Sequence, residues 1–134
     1  MILFLTISTF KSQLGALLKV RKNVYSGISD EISKEFKGKS ISQIRQNRDM
    51  ILIEEDSVII KLRLPDKRQR LSKKDGYRLI YLVSKTNDIV VFLSVYPKNG
   101  PSQKLDLSDF ELKELLATFI SEANTGSLTK FEVE

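Results

Sequence analysis

The densest group of side chains able to do chemistry lies between Lys61 and Arg78. Eight residues of this segment are basic and two are acidic, so it carries a formal charge of +6, while the whole chain carries +5. The basic residues are Lys61, Arg63, Lys67, Arg68, Arg70, Lys73, Lys74 and Arg78. Clustered cations attract a polyanion, and cations held on a rigid scaffold can stabilise extra charge on one of its phosphates. The segment therefore predicts a site that binds a polyanion and acts on it.

Residue types that are missing narrow the chemistry further. The chain has no cysteine and no histidine, which excludes a disulfide framework, a thiolate zinc site, a cysteine nucleophile and an imidazole base. Any catalysis must therefore run on Lys, Arg, Tyr, Ser or carboxylate side chains. A sequence pI of about 9.4 favours an anionic partner, but charge alone does not choose between RNA, DNA, an acidic protein and a lipid surface.

The bulk composition is that of one soluble globular domain. The chain has 134 residues, of which 41% are apolar and 29% are charged, enough for one buried core and too few for a second. The apolar start at residues 1–7 is far shorter than the roughly 18 residues that a membrane span needs, and no basic segment precedes it. We expect it to form the first strand of a cytoplasmic protein that has no membrane partner.

Two helices are predicted to follow this strand. Apolar residues recur at helical spacing in the first of them: Phe10, Leu14, Leu17 and Leu18. Residues 25–27 should end that helix, and Ser29 or Asp30 should cap the second. Residues 37–40 should close the resulting helical hairpin.

From Met50 onward the apolar pattern has the period of a strand. Four strands are predicted, at 50–53, 57–64, 76–83 and 89–96, with turns at 54–56 and 85–88. The segment Ser108-Asp109-Phe110-Glu111 has the spacing of a capping box and should begin a C-terminal helix. The expected fold is a small α+β domain at residues 1–124, with the two-helix hairpin on one face of a mostly antiparallel, twisted sheet. Residues 125–134 are weakly patterned and are expected to be a tail, either disordered or adding a short strand.

Three segments in fixed order resemble the RelE/ParE superfamily of bacterial toxins, and most closely its HigB-type branch. Ile60-Lys61-Leu62-Arg63-Leu64 is similar to the family's K-hydrophobic-R strand. Residues 74–81, Lys-Asp-Gly-Tyr-Arg-Leu-Ile-Tyr, are similar to its G-G-Y-R strand, and residues 93–99, Leu-Ser-Val-Tyr-Pro-Lys-Asn, to its Y-x-K ending of the last strand. The resemblance is specific from about residue 60 to residue 98 and loose before that.

The resemblance implies a RelE-like fold and a ribonuclease of the toxin–antitoxin type II class. Such an enzyme cuts messenger RNA in the A site of the 30S ribosomal subunit, without metal or cofactor. The RNA 2′-hydroxyl attacks the adjacent phosphate and leaves a 2′,3′-cyclic phosphate or 3′-phosphate and a 5′-hydroxyl. The resemblance also implies a cognate antitoxin, expected to be a helix-turn-helix protein from the adjacent gene, that covers the basic face.

By the same resemblance Arg78 holds the scissile phosphate, because a guanidinium can donate two parallel hydrogen bonds to it. Lys61 and Arg63 would orient neighbouring phosphates, and Lys98 would stabilise the leaving oxygen or the transition state. Arg78→Ala is then expected to abolish toxicity and to leave thermal stability nearly unchanged. The remaining cations of the segment are predicted to bind RNA: Lys67, Arg68, Arg70, Lys73 and Lys74. The face opposite the helices, expected to be concave, should display Lys61, Arg63, Arg70, Arg78 and Lys98.

The sequence offers more than one candidate for the general base. Tyr96 is one candidate, and a lysine whose pKa is depressed by its cationic neighbours, such as Lys74 or Lys61, is another. The chain departs from the family pattern by lacking histidine and by having Asp75-Gly76 where relatives have two glycines. Both departures concern the base and leave the cations in place.

The same residues also fit other functions and other structural roles. A ParE-like inhibitor of DNA gyrase shares the fold and cleaves nothing, and a non-catalytic RNA-binding module, including a decayed toxin, also fits. The segment 61–78 is alternatively a solvated loop, and Arg78 a sheet arginine paired to Asp75 or Glu111. Tyr96 is alternatively a cap on the sheet edge, and Lys98 a surface residue of a turn.

Overall fold

The computed structural model describes residues 1–46 and 49–133, which form one six-stranded sheet and four α-helices. The elements in chain order are β1 (Leu3–Thr6), α1 (Ser8–Leu18), α2 (Ile28–Phe36), α3 (Ile41–Arg45), β2 (Met50–Ile53), β3 (Ser57–Leu64), β4 (Tyr77–Ser84), β5 (Ile89–Pro97), α4 (Asp109–Thr125) and β6 (Thr129–Lys130). A 3₁₀ turn at Arg21–Asn23 separates α1 from α2. No helix in the described part of the chain is both long enough and apolar enough to cross a bilayer.

The strands lie in the order β2-β3-β4-β5-β1-β6. Neighbouring strands run antiparallel except β1 and β5, which are parallel. The predicted α+β class, the mostly antiparallel sheet, the two turns and the C-terminal helix are confirmed. The predicted tail supplies β6, which pairs with β1, while its last residue, Glu134, lies outside the described residues.

One face of the sheet, here called the helical face, packs against α1, α2 and α3. Even-numbered residues of β3 and odd-numbered residues of β4 point to it and are buried: Val58, Ile60, Leu62, Leu64, Tyr77, Leu79, Tyr81 and Val83. Phe92 of β5 joins Phe10 and Phe36 in an aromatic cluster, with ring centroids 5.4 and 5.3 Å away. The Tyr81 hydroxyl donates to the carbonyl oxygen of Ile44 at 3.1 Å, which anchors α3. The alternation predicted for β3 is confirmed.

The helical layer differs from the predicted hairpin in two places. Helix α2 begins at Ile28 directly after Gly27, so Ser29 and Asp30 lie inside its first turn and the predicted cap is wrong. A carboxylate there still suits the positive end of the helix dipole. The third helix, α3, was not predicted, because five residues are too few to show a period. Ser40, expected to close the hairpin, instead caps α3 in a capping box with Gln43.

Helix α4 packs on the opposite face of the sheet, where it contacts β5, and also against α1. The predicted capping box is present, with Ser108 and Glu111 bonded reciprocally. Near the other end of α4, the Glu122 carboxylate accepts hydrogen bonds from the Ser8 backbone N–H at 2.8 Å and from the Ser8 hydroxyl. A residue of the last helix therefore caps the first one.

Past the end of β1, the edge of β5 is covered by α1. The last residue of β1, Thr6, pairs with Phe92, so none of the described strands pairs with the next part of β5 on that side. There the Gln13 carboxamide oxygen accepts from the Val95 backbone N–H at 2.9 Å and from the Ser94 hydroxyl at 3.0 Å. The Gln13 side chain therefore takes the place of a neighbouring strand beside the part of β5 that leads to Tyr96.

Candidate functional site

The register of the sheet aligns three polar residues across β3, β4 and β5. Arg63 is opposite Arg78, and Arg78 is opposite Tyr96. All three point away from the helical face, because their neighbours Leu64, Tyr77 and Leu79 point toward it. Lys61 lies two residues before Arg63, and Lys98 two residues after Tyr96, on the same side. We call the surface formed by Lys61, Arg63, Arg78, Tyr96 and Lys98 the basic face.

Arg78 lies beneath this surface, with 7% of its area exposed. Its Nη1 donates to the carbonyl oxygens of Lys73 at 3.0 Å and of Tyr77 at 3.2 Å, and its Nη2 donates to that of Lys74 at 2.7 Å. Burial, and then the neighbouring Arg63 guanidinium, lower the pKa of Arg78 from its ordinary value. The guanidinium thus holds the loop before β4 in place by bonding to its backbone, and its expected role of binding a phosphate stays a prediction.

Arg63, its cross-strand neighbour, is exposed. Lys98 continues the pairing between β4 and β5 by one residue beyond the strands, because its backbone N–H donates to the carbonyl oxygen of Gly76 at 2.8 Å. The basic face therefore combines an accessible guanidinium, a buried one and two lysines. Glu111, one of the two partners considered for Arg78, bonds to Lys104 at 2.6 Å instead.

The connection from β3 to β4 places its cations on two sides of the sheet. Lys67 and Arg68 lie against the helical layer, where the Lys67 backbone N–H donates to the Glu31 carboxylate at 3.0 Å and the Arg68 Nε donates to the carbonyl oxygen of Asn23 at 3.3 Å. Lys73 and Lys74 are exposed and lie over Arg78. The five cations predicted to bind RNA are therefore divided, with Lys73 and Lys74 nearest to the basic face.

Arg70, the fifth of these cations, is exposed in the tight turn between the two groups. Its φ of 58° is in the left-handed region. The turn is closed by Asp66 and Leu71, which exchange two backbone hydrogen bonds of 3.1 and 2.8 Å. The buried Asp66 carboxylate accepts from the Gln69 side chain at 2.6 Å and from its backbone at 3.2 Å.

The end of this connection requires a glycine at residue 76. A Cβ atom at this position would lie 2.1 Å from the Leu64 carbonyl oxygen and 2.8 Å from the Asp66 nitrogen. No side chain fits that space, so the backbone of the connection can return to β4 only through glycine. The close approach also brings Lys73 and Lys74 within reach of Arg78.

Tyr96 occupies the β5 end of the row and is 4% exposed. Its buried hydroxyl has no hydrogen-bond partner among the described residues. Burial, with a further contribution from the Asp106 carboxylate, raises the pKa of Tyr96 to about 12, although Arg78 acts in the opposite direction. At neutral pH Tyr96 is therefore protonated, which suits a hydrogen-bond donor to an anion better than the general base considered above.

The linker between β5 and α4 crosses the same surface. Lys61 Nζ donates to Asp106 Oδ1 at 3.1 Å, and Lys98 Nζ donates to the carbonyl oxygen of Leu105. The pKa of Asp106 is lowered by the Leu107 backbone N–H and then by Lys61. Asp106 could not be predicted as a site residue, because one carboxylate in a linker, 45 residues from its partner, forms no sequence pattern.

Within residues 1–46 and 49–133, no three His, Cys, Asp or Glu side chains are placed to hold a metal ion together. The polar atoms on the basic face belong mainly to cations and to one hydroxyl. Such a surface is suited to hold an anion.

The chain matches no protein-family model and no curated protein sequence. The resemblance to the RelE/ParE toxins therefore rests on the three segments given above. In the fold, the first of them lies on β3, the second leads into β4, and the third ends β5. These strands are adjacent, so the three segments meet at one end of the basic face.

Proposed function

We propose that this protein is the toxin of a type II toxin–antitoxin pair, with a RelE-like fold, and that it acts in the cytoplasm as a ribosome-dependent mRNA endonuclease. The observation that carries the proposal is the alignment of Arg63, Arg78 and Tyr96 across three adjacent strands. Arg63 is the accessible group of this row, and Arg78 lies beneath it. A phosphate bound at Arg63 would therefore lie over a second, fixed positive charge. Lys61 and Lys98 extend this surface at its two ends.

The proposed reaction is attack of an RNA 2′-hydroxyl on the adjacent phosphate. Arg63 is accessible and binds the phosphate directly, while Arg78 adds fixed positive charge beneath it. The Tyr96 hydroxyl is buried beside Arg78, so Tyr96 supports the row from beneath and does not touch a phosphate bound at Arg63. Lys98 lies nearest the leaving 5′-oxygen, and Lys73 and Lys74 bind neighbouring phosphates of the message.

The partners follow from the same surface. The substrate is mRNA in the A site of the small ribosomal subunit, and the antitoxin is a helix-turn-helix protein from the neighbouring gene. An antitoxin segment with acidic side chains would neutralise the basic face and exclude RNA from it.

The test is inducible expression in a bacterium, followed within minutes by primer extension on an abundant, translated mRNA. We expect cuts at defined codon positions that disappear when translation is blocked. Arg63→Ala should remove the cuts, while Lys113→Ala, which removes an exposed cation from α4, should leave them. Growth arrest with intact mRNA and inhibited gyrase would contradict the proposal and identify the ParE-like alternative.

One observation favours a second candidate, a non-catalytic RNA-binding module. Three hydrogen bonds of the Arg78 guanidinium go to backbone carbonyls, so this side chain is engaged without any substrate. Under this alternative the purified protein binds RNA with the salt dependence of several phosphate contacts and leaves it uncut. Intact mRNA on ribosomes that carry the bound protein would establish it.

A further inference from the structure

The carboxylate of Asp106, in the linker between β5 and α4, lies against the basic face beside Lys61. Asp106 Oδ1 is 3.1 Å from Lys61 Nζ, and its side chain is 70% exposed, so a bound RNA can reach it. Lys61 and Arg63 are two residues apart on β3, which places their side chains about 7 Å apart on one face. A ribose attached to a phosphate at Arg63 can span that separation.

The linker holds Asp106 in this position from both sides. Its backbone is fixed on one side by Lys104, whose N–H donates to the Pro97 carbonyl oxygen at 2.9 Å, and by Lys98, which bonds to the Leu105 carbonyl. On the other side, the Leu107 N–H donates to Asp106 Oδ1 at 2.8 Å, immediately before the cap of α4. The carboxylate is therefore placed by the fold and does not depend on Lys61 alone.

Lys61, Lys98 and Tyr96 are poorly suited to accept a proton. Lys61 donates a hydrogen bond to the carboxylate and Lys98 donates one to a carbonyl, so both serve as donors. The raised pKa of Tyr96 keeps its hydroxyl protonated at neutral pH. Asp106 is a carboxylate, ionised at neutral pH like an ordinary aspartate. Its Oδ1 already accepts hydrogen bonds from Lys61 Nζ and from the Leu107 N–H, so it is in the state that can accept a proton.

We propose that Asp106 is the general base of the reaction, positioned by Lys61 and the linker beside the substrate 2′-hydroxyl. This inference rests on the proposed function. The 2′-hydroxyl gives its proton to Asp106 as its oxygen forms a bond to phosphorus. The bond from phosphorus to the 5′-oxygen breaks, and that oxygen takes a proton from Lys98 Nζ. The products are a 2′,3′-cyclic phosphate and a 5′-hydroxyl, and both side chains regain their starting state by exchange with water.

The test compares Asp106→Asn with Glu114→Gln, which neutralises an exposed carboxylate of α4. Cleavage is measured in single turnover on purified ribosomes carrying a defined mRNA, and ribosome binding is measured on an uncleavable 2′-deoxy message. We expect Asp106→Asn to lower the cleavage rate on the order of 10²- to 10⁴-fold without weakening binding, because a negative charge is removed. Glu114→Gln should cleave like the wild type.

A second variant separates catalysis from positioning. Asp106→Ala leaves space for a small carboxylate, so added formate should restore part of its cleavage, while chloride at the same concentration should not. A rate for Asp106→Asn equal to the wild type would overturn the proposal and leave the nuclease function standing. Tighter binding with an undiminished rate would do the same, and would show that Asp106 competes with phosphate for Lys61. A loss of rate that formate does not restore would also overturn it. Intact mRNA with the wild-type chain bound to ribosomes would overturn both proposals together.

Discussion

The two faces of β3 and β4 are built from alternate residues of the same strands, yet they serve different purposes. On the helical face Leu62, Leu64 and Leu79 are buried against the helices. On the basic face Arg63 is exposed, and Arg78, directly opposite, is buried under the loop it holds. Farther along the same side, Ile59 and Ile80 are fully buried, so the difference between the faces is confined to the end of the strands near Arg63. There, substitutions one position apart should have very different consequences for stability. Four substitutions test this difference between the two faces, from the largest expected loss of stability to the smallest.

Leu79→Ala should have the largest effect, because Leu79 is fully buried on the helical face. The loss of apolar contacts and the cavity left behind should lower the free energy of unfolding by about 2–5 kcal/mol. Urea denaturation followed by circular dichroism measures this change. Arg63→Ala is the control on the other face, and its free energy of unfolding should stay within about 0.5 kcal/mol of the wild type. Equal losses for the two variants would contradict the separation of the faces.

Gly76→Ala tests the connection from β3 to β4. The added methyl group would collide with the Leu64 carbonyl oxygen, so the free energy of unfolding should fall by about 1–3 kcal/mol. Gly15→Ala is the matched substitution, because a Cβ there meets nothing within 4 Å and the residue lies inside α1. It should raise stability by about 0.4–1 kcal/mol. Opposite signs in thermal denaturation are the expected result.

Arg78→Ala should lower both the stability of the protein and its toxicity. The sequence alone led us to expect nearly unchanged stability, but the guanidinium donates three hydrogen bonds to backbone carbonyls. Their removal should lower the free energy of unfolding by about 1–3 kcal/mol and free the loop that carries Lys73 and Lys74. Arg63→Ala should abolish toxicity with little change in melting temperature. A fully stable Arg78→Ala variant would show that the loop is held by other contacts.

The smallest effect concerns the ion pair of Lys61 and Asp106. The pKa of Asp106 is lowered in the folded protein, so its contribution to stability is present above the ordinary aspartate pKa, about 3.9. It is lost as the pH falls through the lower folded value. Because the Asp106 side chain is 70% exposed and that of Lys61 is 32% exposed, solvent screens the pair, and its contribution at neutral pH should be at most about 1 kcal/mol. Melting temperatures of wild type and Asp106→Asn should differ slightly at neutral pH and converge in acid.

The sequence could predict whatever depends on local pattern. The alternation in β3, the turn at 54–56 and the capping box at Ser108 all come from neighbouring residues, and the structure confirms them. The alignment of Arg63, Arg78 and Tyr96 was accessible only through the resemblance, since register depends on how three strands pair. Helix α3 was missed, because it is too short to show a period and owes its position to a contact with Tyr81.

Contacts between distant segments could not be predicted. Asp106 reaches Lys61 across 45 positions, and no spacing rule connects a linker residue to a strand residue. The burial of Arg78 depends on the path of the connection before β4, which is set by the glycine at residue 76 and by the Asp66–Leu71 turn. The sequence therefore predicted the cations of the candidate site, and this stays a prediction. The position of the Asp106 carboxylate and the burial of Arg78 beside the exposed Arg63 became visible only in the fold.

The cap that Glu122 provides for Ser8 has a consequence for how the protein is made. The two residues are 114 positions apart, and β1 pairs only with β5 and β6 among the described strands. A chain growing on the ribosome therefore holds β1 without its partners until β5 has been synthesised, and α1 without its cap until α4 has been. The sheet therefore gains its first strand late, and contacts of such large sequence separation should slow the folding of this chain.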